Sequence, residues 1–573
     1  MKASDFIVDY LYRKGVTQIF EVIGGMITQI VDSVYRQNRI ELVSMHHEQA
    51  ASFAADSYGR LTGIPGIAIA TSGPGATNLV TGIGSCYFDS VPAIFITGQV
   101  NTNEQTGIKK IRQLGFQETD IVSIVKPITK AAWKVNTTDE LPEIMRNAFI
   151  ISTSGRPGPV LIDIPMDVQK ENVKLELLIK SNEKSNNLDP SQIEDLLERL
   201  RKAKRPLVLA GGGIRASRSI DLFRDFIKLI NVPTVHSLMA VDSLPYEDTN
   251  RIGLIGTYGN RWANTALGNS DFLLVLGSRL DIRQTGSDTK DFGEARTIFH
   301  VDCVESEINN RITGCNPIVA DLNDFLKSAI SIARNKQAGN YKEWAYQIHK
   351  WKEQWPDNQE IRINNSINPN VFLHQLSRYS SSASTFIVDV GNNQMWAAQS
   401  LELRSDQRFI TSGGIGSMGY ALPAAIGATY ATPGKPVVVT AGDGGMQMNI
   451  QEFETINYHK FPIKIVVINN QSYGMVRQFQ ESYFGNRLQS TFWGYSAPNF
   501  ALIAKAYGIS SSTVEDQKDI SKSLVKMWSE PMEPYLLQVM IDPSINAYPK
   551  IAFGHPITEM EPFVKPIDME GTL

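Results

Sequence analysis

The chain has only three cysteines among its 573 residues, Cys86, Cys303 and Cys315. They are too few and too widely spaced for a disulfide framework or for the C-x-x-C pairs of a zinc site. We therefore expect a protein of a reducing compartment, and the predicted location is cytoplasmic. No apolar run approaches the roughly 18 residues of a membrane span, and the N-terminus lacks the apolar core of a signal peptide. A membrane partner is not expected.

A strong excess of charge of either sign is also missing. The formal net charge is -4, with 42% hydrophobic and 20% charged residues, which is ordinary for a globular protein. Without a basic excess the sequence has no electrostatic footprint for nucleic acid, so a nucleic-acid partner is not expected either. At roughly 100–200 residues per domain, the length predicts three or four domains.

Short apolar runs alternate with helical patterns along the chain. Runs that end at Gly or Pro, at residues 67–73, 92–100 and 158–165, predict buried strands, and residues 48–60 predict a helix. This alternation is typical of an α/β protein in which helices cover both faces of parallel sheets. No clear element is predicted after Pro543.

Two polar stretches divide the chain into three units of similar size. Residues 170–192 and the charged segment 335–368 have the composition of linkers. We therefore predict three doubly wound parallel-sheet domains, formed by residues 1–170, 190–335 and 370–550.

The strongest chemical signal lies between residues 437 and 475. One apolar strand, 437–440, leads into Gly442-Asp443-Gly444-Gly445, and a second ends at Asn469-Asn470. Because the carboxyl ends of parallel strands share one edge of a sheet, Asp443 and Asn470 should meet there. Carboxylate and amide oxygens suit Mg²⁺, which completes its shell with phosphate and water, and the glycines allow backbone N–H groups to approach a diphosphate. The structural alternative is a glycine-rich turn capped by Asp.

This segment resembles the thiamine-diphosphate motif, a G-D-G that is followed further along the chain by N-N. The resemblance implies that Asp443 and Asn470 bind Mg²⁺ through their side chains and that Ser472 binds it through its backbone carbonyl. The residues of this segment that the resemblance places against thiamine diphosphate are Gly442, Gly444, Gly445, Tyr473, Gly474 and Met475.

Two further segments resemble parts of the same coenzyme site. Residues 411–428 resemble the G-x-M-G turn, which implies that Met418 supports the bent coenzyme and that the Gly416 carbonyl accepts from its amino group. Residues 388–396 resemble the other strand end that contacts the diphosphate, through Gly391 and Asn392. Many relatives carry Gln-His where this chain has Asn392-Asn393.

Glu48 lies near the start of a predicted helix that is rich in small residues. By pattern alone it is a first-turn acid favoured by the helix dipole. The resemblance implies a catalytic role, because enzymes of this class use one N-terminal carboxyl group to hydrogen-bond the coenzyme's aminopyrimidine and activate the thiazolium carbon. Since Glu48 and Asp443 lie on different domains, the resemblance also implies a homodimer or homotetramer in which these domains face each other across two chains.

Over nearly its whole length, the chain resembles the catalytic subunits of the acetolactate synthase family. Among the most specific stretches are residues 115–118, 154–165, 256–264 and 277–286. The resemblance implies a pyrimidine-binding, a central FAD-binding-type and a diphosphate-binding domain, in that order. It also places Phe116 and Gln117 near the reacting centre.

The central domain carries the positions that bind FAD in that family, where the flavin is structural. The alternative is a domain that has lost or exchanged its nucleotide. The positions that the resemblance assigns to FAD are Arg156, Gly211, Gly212, Gly213, Leu238, Met239, Arg279, Arg283, Asp302 and Asp321.

The implied reaction is decarboxylation of pyruvate and transfer of the two-carbon unit to a carbonyl acceptor. The family reaction joins two pyruvates to 2-acetolactate and CO₂, and the resemblance allows a regulatory subunit. However, Met166 stands where relatives have Lys, and Phe479 where they commonly have Trp. These departures predict a re-specified acceptor site for another aldehyde or ketone, such as a nucleotide-linked keto sugar. A lyase that releases acetaldehyde and a non-catalytic paralogue are the remaining alternatives.

Overall fold

The computed structural model describes residues 1–107, 109–174, 188–294, 296–337, 339–361 and 366–567. Most of the predicted linker 170–192 lies outside the described residues. The second predicted linker, 335–368, contains a helix at Lys342–Gln354. Among the described residues, no helix combines the length and apolarity that crossing a membrane would require.

The N-terminal domain is a six-stranded parallel sheet with helices on both faces. Its strands are β1 (Gln18–Val22), β2 (Glu41–Ser44), β3 (Gly66–Ala70), β4 (Ala93–Gln99), β5 (Ala131–Lys134) and β6 (Pro159–Pro165). Its helices are α1 (Ala3–Arg13), α2 (Thr28–Gln37), α3 (Glu48–Thr62), α4 (Pro74–Asn78), α5 (Val80–Phe88), α6 (Ile121–Val125), α7 (Leu141–Thr153) and α8 (Met166–Lys170). The central strands β3, β4 and β6 are buried at every position, which explains their continuous apolar runs.

The middle domain repeats this architecture around its own hydrophobic core. Its strands are β7 (Pro206–Ala210), β8 (Thr234–His236), β9 (Arg251–Leu254), β10 (Phe272–Leu276), β11 (Thr297–Asp302) and β12 (Asn316–Val319). Its helices are α9 (Pro190–Lys202), α10 (Gly213–Ala216), α11 (Ile220–Ile230), α12 (Arg261–Asn269), α13 (Ile282–Thr285), α14 (Thr289–Glu294), α15 (Leu322–Ala333) and α16 (Lys342–Gln354).

The C-terminal domain carries the third six-stranded parallel sheet. Its strands are β13 (Thr385–Val388), β14 (Arg408–Thr411), β15 (Val437–Gly442), β16 (Ile463–Asn469), β17 (Ser510–Val514) and β18 (Tyr535–Met540). Its helices are α17 (Pro369–Tyr379), α18 (Asn392–Ser400), α19 (Ala421–Ala431), α20 (Asp443–Met446), α21 (Glu452–His459), α22 (Gly474–Tyr483), α23 (Phe500–Ala506) and α24 (Ile520–Met527).

The strand orders are 2-1-3-4-6-5, 12-11-10-7-8-9 and 14-13-15-16-18-17. In each sheet the chain winds first to one side and then to the other, so the predicted α/β class with three doubly wound parallel sheets is confirmed. The tail differs from the prediction, because β19 (Lys550–Ile551) and β20 (Met560–Glu561) form an antiparallel pair after Pro543. Strands this short carry too little pattern to be predicted.

The N-terminal and C-terminal domains pack against each other through α3 and α19. Both helices are rich in alanine and glycine, which lets their backbones approach closely. A side chain on Gly427 would lie 2.0 Å from the carbonyl oxygen of Ala54. Ser57 donates across the same contact to the Ala424 carbonyl at 2.5 Å. The two domains therefore share one hydrophobic core.

Candidate functional site

Asp443 and Asn470 follow the neighbouring strands β15 and β16, and both side chains are buried. The Asp443 carboxylate accepts a hydrogen bond from the Tyr495 hydroxyl at 3.0 Å. The Asn470 amide oxygen accepts from the backbone N–H of Ser472 at 3.3 Å. Burial raises the pKa of Asp443 to about 6, because the buried carboxylate lacks the water that would stabilise its charge. This strand edge offers the hard oxygen ligands that Mg²⁺ prefers.

The Asn392 amide lies beside this corner. A side chain on Gly474 would lie 2.6 Å from the Asn392 amide nitrogen and 2.7 Å from that of Asn470. Both polar atoms of Asn392 are buried, and neither has a hydrogen-bond partner within the described chain. An unpaired buried amide costs about 1–3 kcal/mol, so the corner fits a polar group such as a diphosphate. Gly391 and Gly442 both face open space there.

The segment with the G-x-M-G pattern lies next to the same corner. Gly416 has a left-handed φ of 68° and faces open space, so a larger residue would be strained there. The Met418 methyl group lies 3.2 Å from where a side chain on Gly444 would project. Close to it, a side chain on Gly445 would lie 2.3 Å from the buried Asp389 carboxylate. The structure thus places the predicted Met418 against the G-D-G turn.

The residues that follow Asn470 contact different parts of the molecule. The Tyr473 ring packs against Tyr495 at a centroid distance of 4.5 Å and covers the Gly444 side of the turn. The Ser472 hydroxyl donates to the Thr491 carbonyl at 2.9 Å. Met475 lines the cavity between the middle domain and its neighbours.

Glu48 is the first residue of α3, which His47 caps by accepting from a backbone N–H. The Glu48 carboxylate accepts from the Asn78 amide at 2.9 Å. Among the described residues, this hydrogen bond keeps Glu48 within its own domain. The next residue, Gln49, reaches Asn449 of the C-terminal domain at 3.1 Å. No hydrogen bond therefore brings Glu48 to the Asp443 corner of the same chain, as far as the described residues extend.

Phe116 and Gln117 lie on an irregular segment of the N-terminal domain. The Phe116 side chain is 80% exposed, so in the single chain it covers no pocket. Gln117 has a left-handed φ of 66°, and its Cβ lies 2.9 Å from where a side chain on Gly73 would project. The Phe116 ring is thus open to solvent beside the constrained backbone of Gln117.

A cavity of about 1130 Å³ lies between the middle domain and its two neighbours. Most positions with a predicted role in FAD binding line it: Arg156, Gly212, Gly213, Leu238, Met239, Arg279, Arg283, Asp302 and Asp321. Gly211 is the exception, because it packs against Gly277, whose carbonyl oxygen lies 2.1 Å from where a side chain would project. Further walls come from Arg60 and Arg408 of the other domains.

The two aspartates in the cavity wall are held by backbone N–H groups. Asp302 accepts from Val304 at 2.9 Å, and burial raises its pKa. Asp321 caps α15 by accepting from Asn323 at 2.8 Å. In the same wall, Arg156 pairs with Glu307 at 2.6 Å. Guanidinium groups, carboxylates and apolar side chains in one large cavity fit a ligand with phosphate, ribose and ring parts, such as a dinucleotide.

Several residues of these sites were not predicted. Tyr495, the partner of Asp443, lies in an irregular segment with no recognisable pattern. Asn78 contacts Glu48 only because α4 folds back onto α3. Asp389 was predictable from the sequence, because an acidic residue directly after the apolar strand β13 gives the same signal as Asp443 after β15.

The geometry is therefore that of a three-domain α/β protein with a carboxylate at a helix start on its first domain and a buried polar corner at a strand edge on its third. Three family models match the chain in the same order. They are described as the thiamine pyrophosphate enzyme N-terminal TPP binding domain over residues 1–124, the central domain over residues 193–329, and the C-terminal TPP binding domain over residues 389–539. The chain belongs to the thiamine pyrophosphate enzyme family.

Relatives with curated names match over nearly the full length. The chain is 36% identical to an acetolactate synthase large subunit of Lactococcus lactis over 97% of this chain and 95% of the relative. It is 34% identical to the acetolactate synthase isozyme 2 large subunit of Escherichia coli, over 98% of this chain and 99% of the relative. It is also 35% identical to acetolactate synthase 2, chloroplastic, of Nicotiana tabacum, over 96% and 84% respectively. The predicted resemblance to this family is confirmed.

Proposed function

We propose that this enzyme decarboxylates pyruvate and transfers the two-carbon unit to a carbonyl acceptor, as an acetolactate synthase-like carboligase. The observation that carries the proposal is the buried corner of Asp443, Asn470 and the unpaired Asn392 amide. When bound, thiamine diphosphate supplies a nucleophilic carbon and an electron sink for decarboxylation. Asp443, Asn470 and the Ser472 carbonyl would hold Mg²⁺ against its diphosphate.

The protein's own contribution is orientation, exclusion of water and one proton. Glu48 would hold the pyrimidine end of the coenzyme and exchange a proton there, with its carboxylate oriented by Asn78. Met418 would support the bent coenzyme, since its methyl group faces the G-D-G turn. Phe116 and Gln117 would close the reacting centre from the first domain. A dry, oriented site favours carbon–carbon bond formation over simple protonation.

We propose further that the active unit is a homodimer or a larger assembly such as a homotetramer. Among the described residues of the single chain, Glu48 bonds within its own domain, and Phe116 is exposed. Pairing of two chains would place the first domain of one against the third domain of the other. A cytoplasmic location belongs to the same proposal. So does a regulatory subunit, which the words 'large subunit' in the names of relatives suggest.

The middle-domain cavity is proposed to hold FAD in a structural role. Its volume and its arginine and aspartate walls support a dinucleotide, and the proposed carboligation needs no redox step. The purified protein should then carry a yellow chromophore that heat releases and that chromatography identifies. A colourless protein that takes up no FAD would reject this part of the proposal.

An acceptor other than pyruvate is the second candidate, and Phe479 favours it. Its side chain is 42% exposed and lines the cavity, where its ring packs on Tyr483 at 4.7 Å. A phenyl ring fills less space than the indole that is common in the family, which leaves room for a larger ketone. Met166, in place of the usual Lys, removes a positive charge. A nucleotide-linked keto sugar is one acceptor of suitable size.

The test is to incubate the purified protein with thiamine diphosphate, Mg²⁺ and pyruvate, alone and with candidate aldehydes and ketones, and to identify products by mass. Rapid formation of acetolactate from pyruvate alone supports the first function. A product that requires a ketone partner supports the second. Acetaldehyde alone would indicate a lyase, and no pyruvate consumption under any condition would reject the proposal.

A further inference from the structure

Asp89, which follows α5 in the first domain, holds a segment of the third domain. One of its carboxylate oxygens accepts the backbone N–H of Gly414 at 2.7 Å. The other accepts the N–H of Gly413 at 3.0 Å and a hydrogen bond from Arg60 at 2.8 Å. The Asp89 side chain is only 1% exposed, so these bonds face no competition from bulk water. The segment they hold leads directly to Gly416 and Met418.

The other end of this segment, residues 413–419, is held by Asp389 of its own domain. Its carboxylate accepts from the backbone N–H of Gly419 at 3.1 Å and from that of Ala421 at 2.9 Å. The segment, hereafter the coenzyme loop, therefore has two aspartate anchors on different domains. Only the Asp89 anchor depends on how the domains are placed relative to each other.

The Asp89 anchor is also part of the wall of the middle-domain cavity. Arg60 and Asp89 both line it. Met239 lines it as well, and its sulfur lies 2.2 Å from where a side chain on Gly413 would project. The Met239 Cβ also lies 3.0 Å from where a side chain on Gly212 would project. A ligand in the cavity thus touches groups that in turn touch the coenzyme loop.

Arg60 restricts how the anchor can move. It is buried and also bonds Asp56 at 2.5 Å and the Thr411 carbonyl at 3.1 Å. A buried guanidinium that loses a carboxylate partner keeps an uncompensated charge. Arg60 therefore fixes Asp89 in one arrangement, and a phosphate or carbonyl group near Arg60 in the cavity would bias that arrangement.

We propose that Asp89 is a positioning residue that couples ligand binding in the middle-domain cavity to the geometry of the coenzyme loop. This inference rests on the proposed FAD and thiamine-diphosphate sites. FAD in the cavity stabilises Met239, Arg60 and Asp89, and thereby the loop conformation that thiamine diphosphate needs. By thermodynamic reciprocity, each ligand then raises the affinity for the other.

The experiment measures thiamine-diphosphate affinity of the full-length protein in Mg²⁺ by titration calorimetry, with and without saturating FAD. FAD binding is read separately from its visible absorbance on the protein. In the wild type, FAD should tighten thiamine-diphosphate binding by roughly 5–150-fold, the usual range of such coupling. Asp89→Asn should bind FAD yet reduce this ratio to below about 2-fold. The exposed Asp139→Asn is the matched control and should keep the wild-type ratio.

A second variant, Gly414→Ala, tests the same coupling without changing the buried charge of Asp89. A side chain on Gly414 would lie 2.6 Å from the Phe88 Cβ and 2.9 Å from the Asp89 carboxylate, so Gly414→Ala should displace the loop from its anchor and lose the coupling too. Retention of the wild-type ratio in folded Asp89→Asn, or in Gly414→Ala if the first variant does not fold, overturns the inference. So does FAD that binds the wild type without changing thiamine-diphosphate affinity. Failure of FAD to bind at all overturns the inference together with the FAD proposal, while the carboligase assay still stands.

Discussion

Glu48 is the single side chain on which turnover should depend most. Its carboxylate is oriented by Asn78 and has no competing basic partner among the described residues. Glu48→Gln keeps the shape and removes the proton exchange, so kcat should fall by roughly 10²–10⁴-fold, the usual contribution of a general acid–base group. Steady-state kinetics with pyruvate measure this. Glu143→Gln, at an exposed glutamate of the same domain, should leave kcat unchanged, and an active Glu48→Gln would dismiss the role.

His374 should make the stability of the C-terminal domain depend on pH. Its ring nitrogens contact Glu402 at 2.9 Å and Asp357 at 3.0 Å. Burial alone would lower the pKa of His374, but the hydrogen bonds and charges of these carboxylates raise it to about 9. Because the folded pKa lies above the unfolded value near 6.5, the stabilisation is complete below about pH 6.5 and is lost as pH rises through about 9.

The measurement compares thermal unfolding of His374→Gln with the wild type at pH 6 and pH 10. The loss of Tm should be large at pH 6, where the contacts of His374 with Glu402 and Asp357 contribute at most about 3 kcal/mol. At pH 10 the loss should be small. Exposed His349→Gln should show no such dependence. An equal loss at both pH values would mean that His374 acts through packing alone.

At the scale of elements, the contact between α3 and α19 should tolerate no added volume. A methyl group on Gly427 would lie 2.0 Å from the Ala54 carbonyl oxygen and 2.4 Å from the Ser57 hydroxyl, and the first is backbone that cannot rotate away. Gly427→Ala should therefore destabilise the protein by about 1–3 kcal/mol despite its better helix propensity. Differential scanning calorimetry should show a lower Tm.

Gly293→Ala is the matched comparison, because Gly293 lies in α14 and an added methyl group would have only ordinary contacts. That variant should be as stable as the wild type or slightly more stable. If Gly427→Ala were equally neutral, the close approach of α3 and α19 in a single chain would be wrong.

Secondary-structure elements were predicted well from the sequence where the strands are long and fully buried. The strand predicted at residues 437–440 is β15, and the helix predicted at residues 48–60 is α3. The placement of Asp443 and Asn470 at one sheet edge was equally predictable, since parallel strands bring their carboxyl ends together. The contacts of Tyr495 and Asp89 could not be predicted, because they depend on irregular segments and on domain packing. Such contacts leave no periodic signal in a single sequence.

At the scale of the whole molecule, three similar domains divide the chemistry. In the proposed function, the first supplies Glu48 and the third supplies the Asp443 corner, while the middle domain forms a cavity against both. Within one chain, α3 and α19 pack the outer domains together, yet the hydrogen bond of Glu48 among the described residues is to Asn78 of its own domain. In the proposed function, a complete site therefore takes its two halves from two chains.

Co-expression of Glu48→Gln and Asp443→Asn chains with different affinity tags tests this claim most directly. Either variant alone should be inactive. A doubly purified mixed dimer should regain about half of the wild-type activity, since one of its two sites combines an intact first domain with an intact third domain. A mixed dimer as inactive as its parents, although it binds thiamine diphosphate, would contradict a site shared between chains.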